Sequence, residues 1–343
     1  MAHHRRIALF SHPRTSSNLF VRLLESHPAL GLKTYAFLDA YMFGPERLRT
    51  RIASGNMAAF MDKMKEKHAN TTFQSRFDGL ERAIADIEAQ GKTVVIKEHS
   101  YHLMDPQTIF TNIAVEGEAK PRAPIVDNLL DLPEEERGKA VTATPPPFPI
   151  PNPTILPDRL FASFLPIIII RHPCRTISSL KRALQPLGGP FPDADTVIDT
   201  SFKWQRIMYE CYKAWFATPE GIEAAGGSAV AEQLPIVVDG DRLVNDAEKQ
   251  MAKLCGILGL DPAGIQYTWE AQPAQDMAQI MFIGTLSKST GIIKGKDGSD
   301  KTPVLEEEVK RWTEEWDEKT AEAMKGLVEK TINDYEFLLK RCI

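Results

Sequence analysis

Cysteine is scarce in this chain. The 343 residues hold four, Cys174, Cys211, Cys255 and Cys342, widely spaced and with no CxxC pair. That pattern argues against a disulfide framework or a thiolate zinc site and fits a reducing compartment. An excess of positive charge is also missing. The formal net charge of −5 has the wrong sign for a chain that coats nucleic acid or an anionic membrane. Any anion site must be a local concentration of donors. Long apolar runs are absent too. The basic start Met1-Ala2-His3-His4-Arg5-Arg6 leads only into Ile7–Phe10, too short for a signal-peptide core, and no later segment reaches spanning length without charge. The expectation is a cytoplasmic protein with neither a nucleic-acid nor a membrane partner. No internal repeat is present.

The hydrophobic fraction, 43%, supports a sizeable core. Short apolar runs at Ile7–Phe10, Thr93–Ile96, Leu165–Ile170 and Leu234–Val238 read as buried strands, the third holding four consecutive isoleucines. Helical periodicity lies between and beside them, over about Met57–Lys67, Gly79–Gln90, Thr196–Trp215 and Leu243–Leu258. Strands alternating with helices predict an α/β fold, a central parallel β-sheet flanked by helices on both faces. A single domain spans 1–343. It carries an irregular insertion at 112–157, rich in proline and charge, a glycine- and lysine-bearing loop at 285–303, and helices over 304–343.

Polar clusters follow each strand, where such sheets place their ligands. After the first comes Ser11-His12-Pro13-Arg14-Thr15-Ser16-Ser17-Asn18 and then a helix. A helix N-terminus offers unpaired amides and partial positive charge. Arg14 adds a full charge, Thr15, Ser16 and Ser17 hydroxyls, and Asn18 an amide, so the loop could wrap a tetrahedral anion. The plainer reading is a capped helix with Arg14 in solvent. The loop lacks both the glycine and the lysine of the Walker pattern, which disfavours an ATPase or common kinase. After the isoleucine strand stand Arg171-His172-Pro173 and, further on, Ser178 and Ser179. An arginine at a strand end can grip phosphate bidentately, with a helix serine converging on it. After the second strand comes Lys97-Glu98-His99. A histidine can take a hydroxyl proton at neutral pH, and a lysine can neutralise developing negative charge. Glu98 is the rival base, although strand alternation points it away from Lys97 and His99. His102 is a weaker alternative, and His12 more naturally shapes its loop.

These segments resemble the P-loop sulfotransferases, which use 3′-phosphoadenosine 5′-phosphosulfate (PAPS). Pro13-Arg14-Thr15-Ser16-Ser17-Asn18 looks like the family's 5′-phosphosulfate loop, with Ser16 in place of the customary glycine and Asn18 in place of a hydroxyl residue. The resemblance implies a P-loop-like sheet, Arg14 at the sulfuryl group, and Ser17 and Asn18 at the 5′-phosphate. Arg171 and Ser179 match the spacing of the family's 3′-phosphate pair, with Ser178 a near miss. Lys97-Glu98-His99 is similar to its Lys-x-His segment, where the histidine is the general base. Trp204 sits on a helix like the family's tryptophan-bearing helix and is read as a cofactor contact. Lys294, with Gly295 and Lys296, is read as a flap over the 3′-phosphate. The resemblance therefore implies PAPS as donor, 3′,5′-adenosine bisphosphate as product, no metal, and transfer to a hydroxyl of a small organic acceptor. The insertion and residues around Tyr35–Phe43 and Phe73–Arg76 would shape the acceptor pocket. A kinase with a variant P-loop and a non-catalytic nucleotide binder stay open as alternatives. So does oligomeric state, with a homodimer one option.

Overall fold

Strands β1 (Arg6–Ser11), β2 (Leu30–Thr34), β3 (Thr93–His99), β4 (Phe164–Ile170) and β5 (Ile236–Asp239) form one sheet in the order β2-β3-β1-β4-β5. Every pairing is parallel. The computed structural model describes residues 5–47, 55–113, 123–128, 148–273, 277–294 and 301–343. β1, β4 and β5 are buried at every position. A strand achieves that only when both faces of its sheet are covered, which is why β4 can be a run of isoleucines. This is a P-loop-like α/β fold. Because all strands run one way, their C-terminal ends lie along one edge of the sheet. β1 stands at the centre of that edge, where strand order reverses and such sheets open a crevice.

The helices around the sheet include α1 (Ser17–Glu25), α2 (Leu38–Phe43), α3 (Gly55–Lys67), α4 (Phe73–Ala89), α5 (Pro173–Leu184), α6 (Lys203–Trp215), α7 (Gly240–Asn245), α8 (Met277–Ser287), α9 (Leu305–Glu315) and α10 (Glu318–Leu339). A second, smaller core joins α5 to α9 and α10, where Cys174 and Ile177 meet Trp312, Met324 and Val328. The edge of β5 is closed by the chain itself, with the amide of Ile343 donating to the carbonyl of Val237 at 3.0 Å. Among the described residues no helix is long and apolar enough to cross a membrane.

The elements depart from the sequence pattern where local chemistry outweighs periodicity. β2 is an edge strand with only Leu30 fully buried, so its apolar signal is thin. α4 starts at Phe73 rather than Gly79, because Thr72 and Ser75 form a reciprocal capping box ahead of it. The stretch 196–215 is two helices, Ala194–Asp199 and α6, interrupted where the amide of Phe202 turns to the Thr331 hydroxyl at 2.7 Å. The stretch 243–258 breaks at Asp246, whose φ of −142° is not helical.

Gly240 opens α7 and lets it sit on the loop that follows β1. A Cβ there would lie 2.2 Å from the Thr15 carbonyl oxygen and 3.2 Å from that of Ile170. Both are backbone atoms that cannot swing aside. Gly240→Ala is expected to lower unfolding free energy by about 2 kcal/mol, measured by urea denaturation, and to displace the β1 loop.

Candidate active site

The loop after β1 is built from strained backbone. Arg14 and Ser16 have φ of 68° and 67°, in the left-handed region that favours glycine. Ser16 is the N-cap of α1 yet makes no side-chain cap bond, so the first amides of α1 are offered to whatever lies in the loop. Two residues build the loop from within. The Thr15 hydroxyl donates to the His12 carbonyl at 2.7 Å. The His12 ring, stacked on Phe202 with centroids 4.4 Å apart, is held neutral by burial, its pKa lowered to about 4. Thr15, read from sequence as an anion ligand, is thus buried with its hydroxyl used inside the turn. Ser17 and Asn18 face the adjoining cavity.

Arg14 ties this loop to its neighbours. Its Nε donates to Ser179 Oγ and its Nη1 to the Phe282 carbonyl, both at 2.9 Å. Its own carbonyl accepts from Arg171 Nη1 at 3.3 Å. The ends of β1 and β4, and helices α5 and α8, therefore meet at one residue. Ser178, the near miss, is buried and turns its hydroxyl to the Arg175 carbonyl.

β3 continues through His99, which keeps the alternation that separates Lys97 and His99 from Glu98. Glu98 is buried and fully engaged. Its Oε1 takes His102 Nδ1 at 2.6 Å and the His99 amide at 3.0 Å, and its Oε2 takes the Phe37 amide at 3.0 Å. It holds the turn after β3 and does not line the cavity. His99 faces the cavity. Its Nδ1 lies 2.8 Å from Ser11 Oγ, and that hydroxyl donates to the Glu98 carbonyl at 3.1 Å. With the hydroxyl proton committed, Nδ1–H donates to Ser11 and Nε2 keeps its lone pair. Burial, and then the basic neighbours Lys97, His102 and His12, push the His99 pKa well below the usual histidine range. The ring is a neutral acceptor at neutral pH.

Lys97 is fully buried, and its Nζ has no hydrogen-bond partner among the described residues. The ammonium sits 3.4 Å from the centroid of the Tyr35 ring, a cation–π contact. Burial lowers its pKa to about 7, against the opposing pull of Glu98. Tyr35 is the residue sequence reasoning left in a generic pocket wall. It follows β2 in left-handed backbone, φ 51°, with its amide bonded to the Lys97 carbonyl at 2.8 Å. Its hydroxyl stands 3.4 Å from Asn18 Oδ1 and 3.5 Å from His99 Nε2. Ser11 was missed as well, because a serine ending a strand carries no signal until register sets it beside His99.

The cavity holds about 640 Å³. Arg14, Ser17, Asn18, Tyr35 and His99 line one end. Met42 and Phe43 of α2, Met61 and Met64 of α3, Leu184 of α5 and Leu286 of α8 supply apolar wall. Phe60 and Phe282 also line it and are 38% and 40% exposed, so apolar surface faces solvent there. The described part of the insertion does not contribute. Residues 123–128 dock on α4, where Gln74 Nε2 donates to the Val126 carbonyl at 2.8 Å, Phe148 and Ile150 pack against Trp215 and Cys211 of α6, and 114–122 and 129–147 lie outside the described residues.

Arg171 does not line the cavity but lies behind Arg14, its Nε bonded to Asp241 Oδ1 at 2.7 Å. Two sequence expectations fare differently. Trp204 is completely buried, with its indole N–H donating to the Ile198 carbonyl at 2.9 Å. It is a core residue, with no face left for a cofactor. Lys294 is exposed, and its flap companions Gly295 and Lys296 lie outside the described residues.

Fold and site together define a P-loop-like α/β protein with a strained polar loop, a poised histidine and a buried lysine beside one apolar cavity. No family model matches the chain. Two curated proteins do, both called sulfotransferase ppzF. The one from Metarhizium majus (strain ARSEF 297) is 26% identical over 351 residues, covering 97% of this chain and 95% of the relative. The one from Metarhizium rileyi (strain RCEF 4871) is 25% identical, covering 98% and 95%. A solved sulfotransferase from Alicyclobacillus acidocaldarius aligns with 97% of this chain and 99% of its own, at 10% identity and a TM-score of 0.39. Over nearly its full length the chain is thus similar to two curated proteins named sulfotransferases.

Left-handed serine costs free energy that glycine would not. Ser16→Gly is expected to stabilise the protein by up to about 1 kcal/mol, the steric term being partly offset by glycine's extra freedom when unfolded. The shift of the urea midpoint measures it.

Proposed function

We propose that the chain is a sulfotransferase that moves the sulfuryl group of PAPS to a hydroxyl of a small, largely apolar acceptor. Sulfuryl transfer in general is supported by the full-length similarity to two proteins named sulfotransferases. The carrying observation is the juxtaposition at the cavity's polar end. A histidine with its lone pair fixed by Ser11 lies beside a buried ammonium that has no hydrogen-bond partner among the described residues. An unsatisfied buried cation is costly unless an anion completes it, and a sulfuryl group between Lys97 and Arg14 would do so. This is the fit that favours PAPS.

In this reading the donor supplies the sulfuryl group and its phosphate leaving group. The α1 amides, Ser17 and Asn18 hold the 5′-phosphate, and Arg171 with Ser179 the 3′-phosphate. Arg14 and Lys97 stabilise charge on the sulfuryl oxygens as the bond to phosphate breaks. His99 Nε2 takes the acceptor's proton while its oxygen attacks sulfur in line. The apolar walls seat the acceptor and keep bulk water from competing. A cytoplasmic location accords with four cysteines that remain free thiols.

Incubation with PAPS and an acceptor is expected to release 3′,5′-adenosine bisphosphate without added metal. His99→Ala should cost about a thousandfold in turnover while calorimetry shows bisphosphate binding intact. Full turnover in that variant would reject the base assignment. Turnover of ATP with magnesium would support a kinase instead, and bisphosphate binding without transfer to any acceptor a non-catalytic binder.

The pH dependence follows from the two shifts. Lys97 carries its proton below about pH 7 and loses it above, so affinity for PAPS, which brings the sulfuryl group to Lys97, should be greatest on the acid side and fall as pH rises through 7. Lys97→Met should flatten that slope. The acid limb of the rate profile, set by His99, should fall below the usual histidine range.

A further inference from the structure

The cationic cluster behind Arg14 contains more than the reading above uses. Arg171 Nε and Arg175 Nη1 converge on a single carboxylate oxygen, Asp241 Oδ1, at 2.7 and 2.8 Å. Arg175 lies in the first turn of α5, Arg171 just before it, and Asp241 at the start of α7. Ser179, one turn beyond Arg175 on α5, holds Arg14 Nε. Two guanidinium groups thus share one carboxylate oxygen, and Arg171 lies near enough to Arg14 to weaken that group's hold on its proton, second only to burial. The adjacent acid is committed elsewhere. Asp239 Oδ1 accepts the Asp241 amide at 2.9 Å, and its Oδ2 faces Arg242 at 3.6 Å. Arg175 also donates to the Lys301 carbonyl at 2.7 Å. The side chains of Arg171, Arg175 and Asp241 keep 25%, 18% and 15% exposure, so an incoming anion can reach them.

Two arginines presenting N–H groups to one oxygen form a fork suited to an anion with more oxygens than that pairing uses. We propose that Asp241 is a built-in counter-ion standing where the 3′-phosphate of the donor binds. That phosphate displaces the carboxylate, and Arg175 joins Arg171 as a second phosphate ligand. The proposal rests on the donor assignment made above. A phosphate monoester carries up to about two negative charges against one for the carboxylate, so it can win the exchange. A neutral ribose hydroxyl cannot. Asp241 then acts on specificity and release together. Nucleotides lacking a 3′-phosphate leave the Arg171–Asp241–Arg175 pairing undisturbed and gain nothing from it. The bisphosphate product, once its binding is no longer supported by the sulfuryl group, faces a tethered competitor that speeds its departure.

The test is calorimetry on the full chain with 3′,5′-adenosine bisphosphate and with 5′-AMP. Asp241→Asn, which keeps shape and removes charge, should bind the bisphosphate about fivefold tighter and 5′-AMP unchanged. Arg175→Gln should weaken the bisphosphate about tenfold, again with 5′-AMP unchanged. Unchanged or weaker bisphosphate binding by Asp241→Asn, or unchanged binding by Arg175→Gln, overturns the proposal. Thermal melting in sodium sulfate gives an arm that needs no nucleotide. Sulfate should raise the melting midpoint of Asp241→Asn more than that of the wild type, even if the variant starts lower. Equal shifts would mean that Asp241 only braces the fold. Should the wild type fail to prefer bisphosphate over 5′-AMP, the donor assignment falls, and the sulfate arm still decides whether Asp241 is an exchangeable counter-ion.

Discussion

The site depends on one residue held in an unfavourable shape. Arg14 turns the chain through left-handed backbone, and the structure keeps it there from two sides. Arg171 bonds its carbonyl, and Ser179 its guanidinium. Among the described residues the three non-glycine positions with positive φ are Arg14, Ser16 and Tyr35, and all three line or abut the same cavity. Such conformations cost on the order of 1 kcal/mol or more each and persist only where packing over-determines them. Here that packing is a parallel sheet buried on both faces, with its strand ends brought to one line. The core stabilises the edge, and the edge carries the strain.

The four strand runs, the parallel arrangement and the helical cover could be read from apolar runs alternating with helical periodicity, because β1, β4 and β5 are wholly buried and must be apolar throughout. β2 could not, since an edge strand needs no such run. Within the site, Arg14, Ser17, Asn18, Lys97 and His99 stood out by residue type directly after strands, and these five gather at one cavity or directly beneath its wall. The residues that escaped notice act through geometry rather than type. Ser11 matters because strand register sets it opposite His99. Tyr35 matters because a left-handed turn lays its ring over Lys97. Trp204 misled because a large aromatic on a helix reads alike whether it stacks on a ligand or fills a core. Thr15 misled because a hydroxyl in a polar loop can as well brace the turn as face a ligand.

Charge is distributed in a consistent way. The chain is acidic overall, yet the strand-end edge gathers Arg14, Lys97, Arg171 and Arg175. Lys97 is buried against an aromatic face and neighboured by a carboxylate that is otherwise occupied. Arg171 and Arg175 share an acid. Positive charge is thus concentrated at this edge against the acidic balance of the rest of the chain.

The Ser11–His99 hydrogen bond joins neighbouring strands at a fixed pairing, whereas the apolar walls of the cavity come mostly from α2, α3, α5 and α8. The paired side chains and the wall therefore belong to different layers of the molecule. Substitutions among Met42, Met61, Met64 and Leu286 can reshape what the cavity admits without touching the rung that orients the imidazole, so the shape of the wall and the aim of the ring can vary independently.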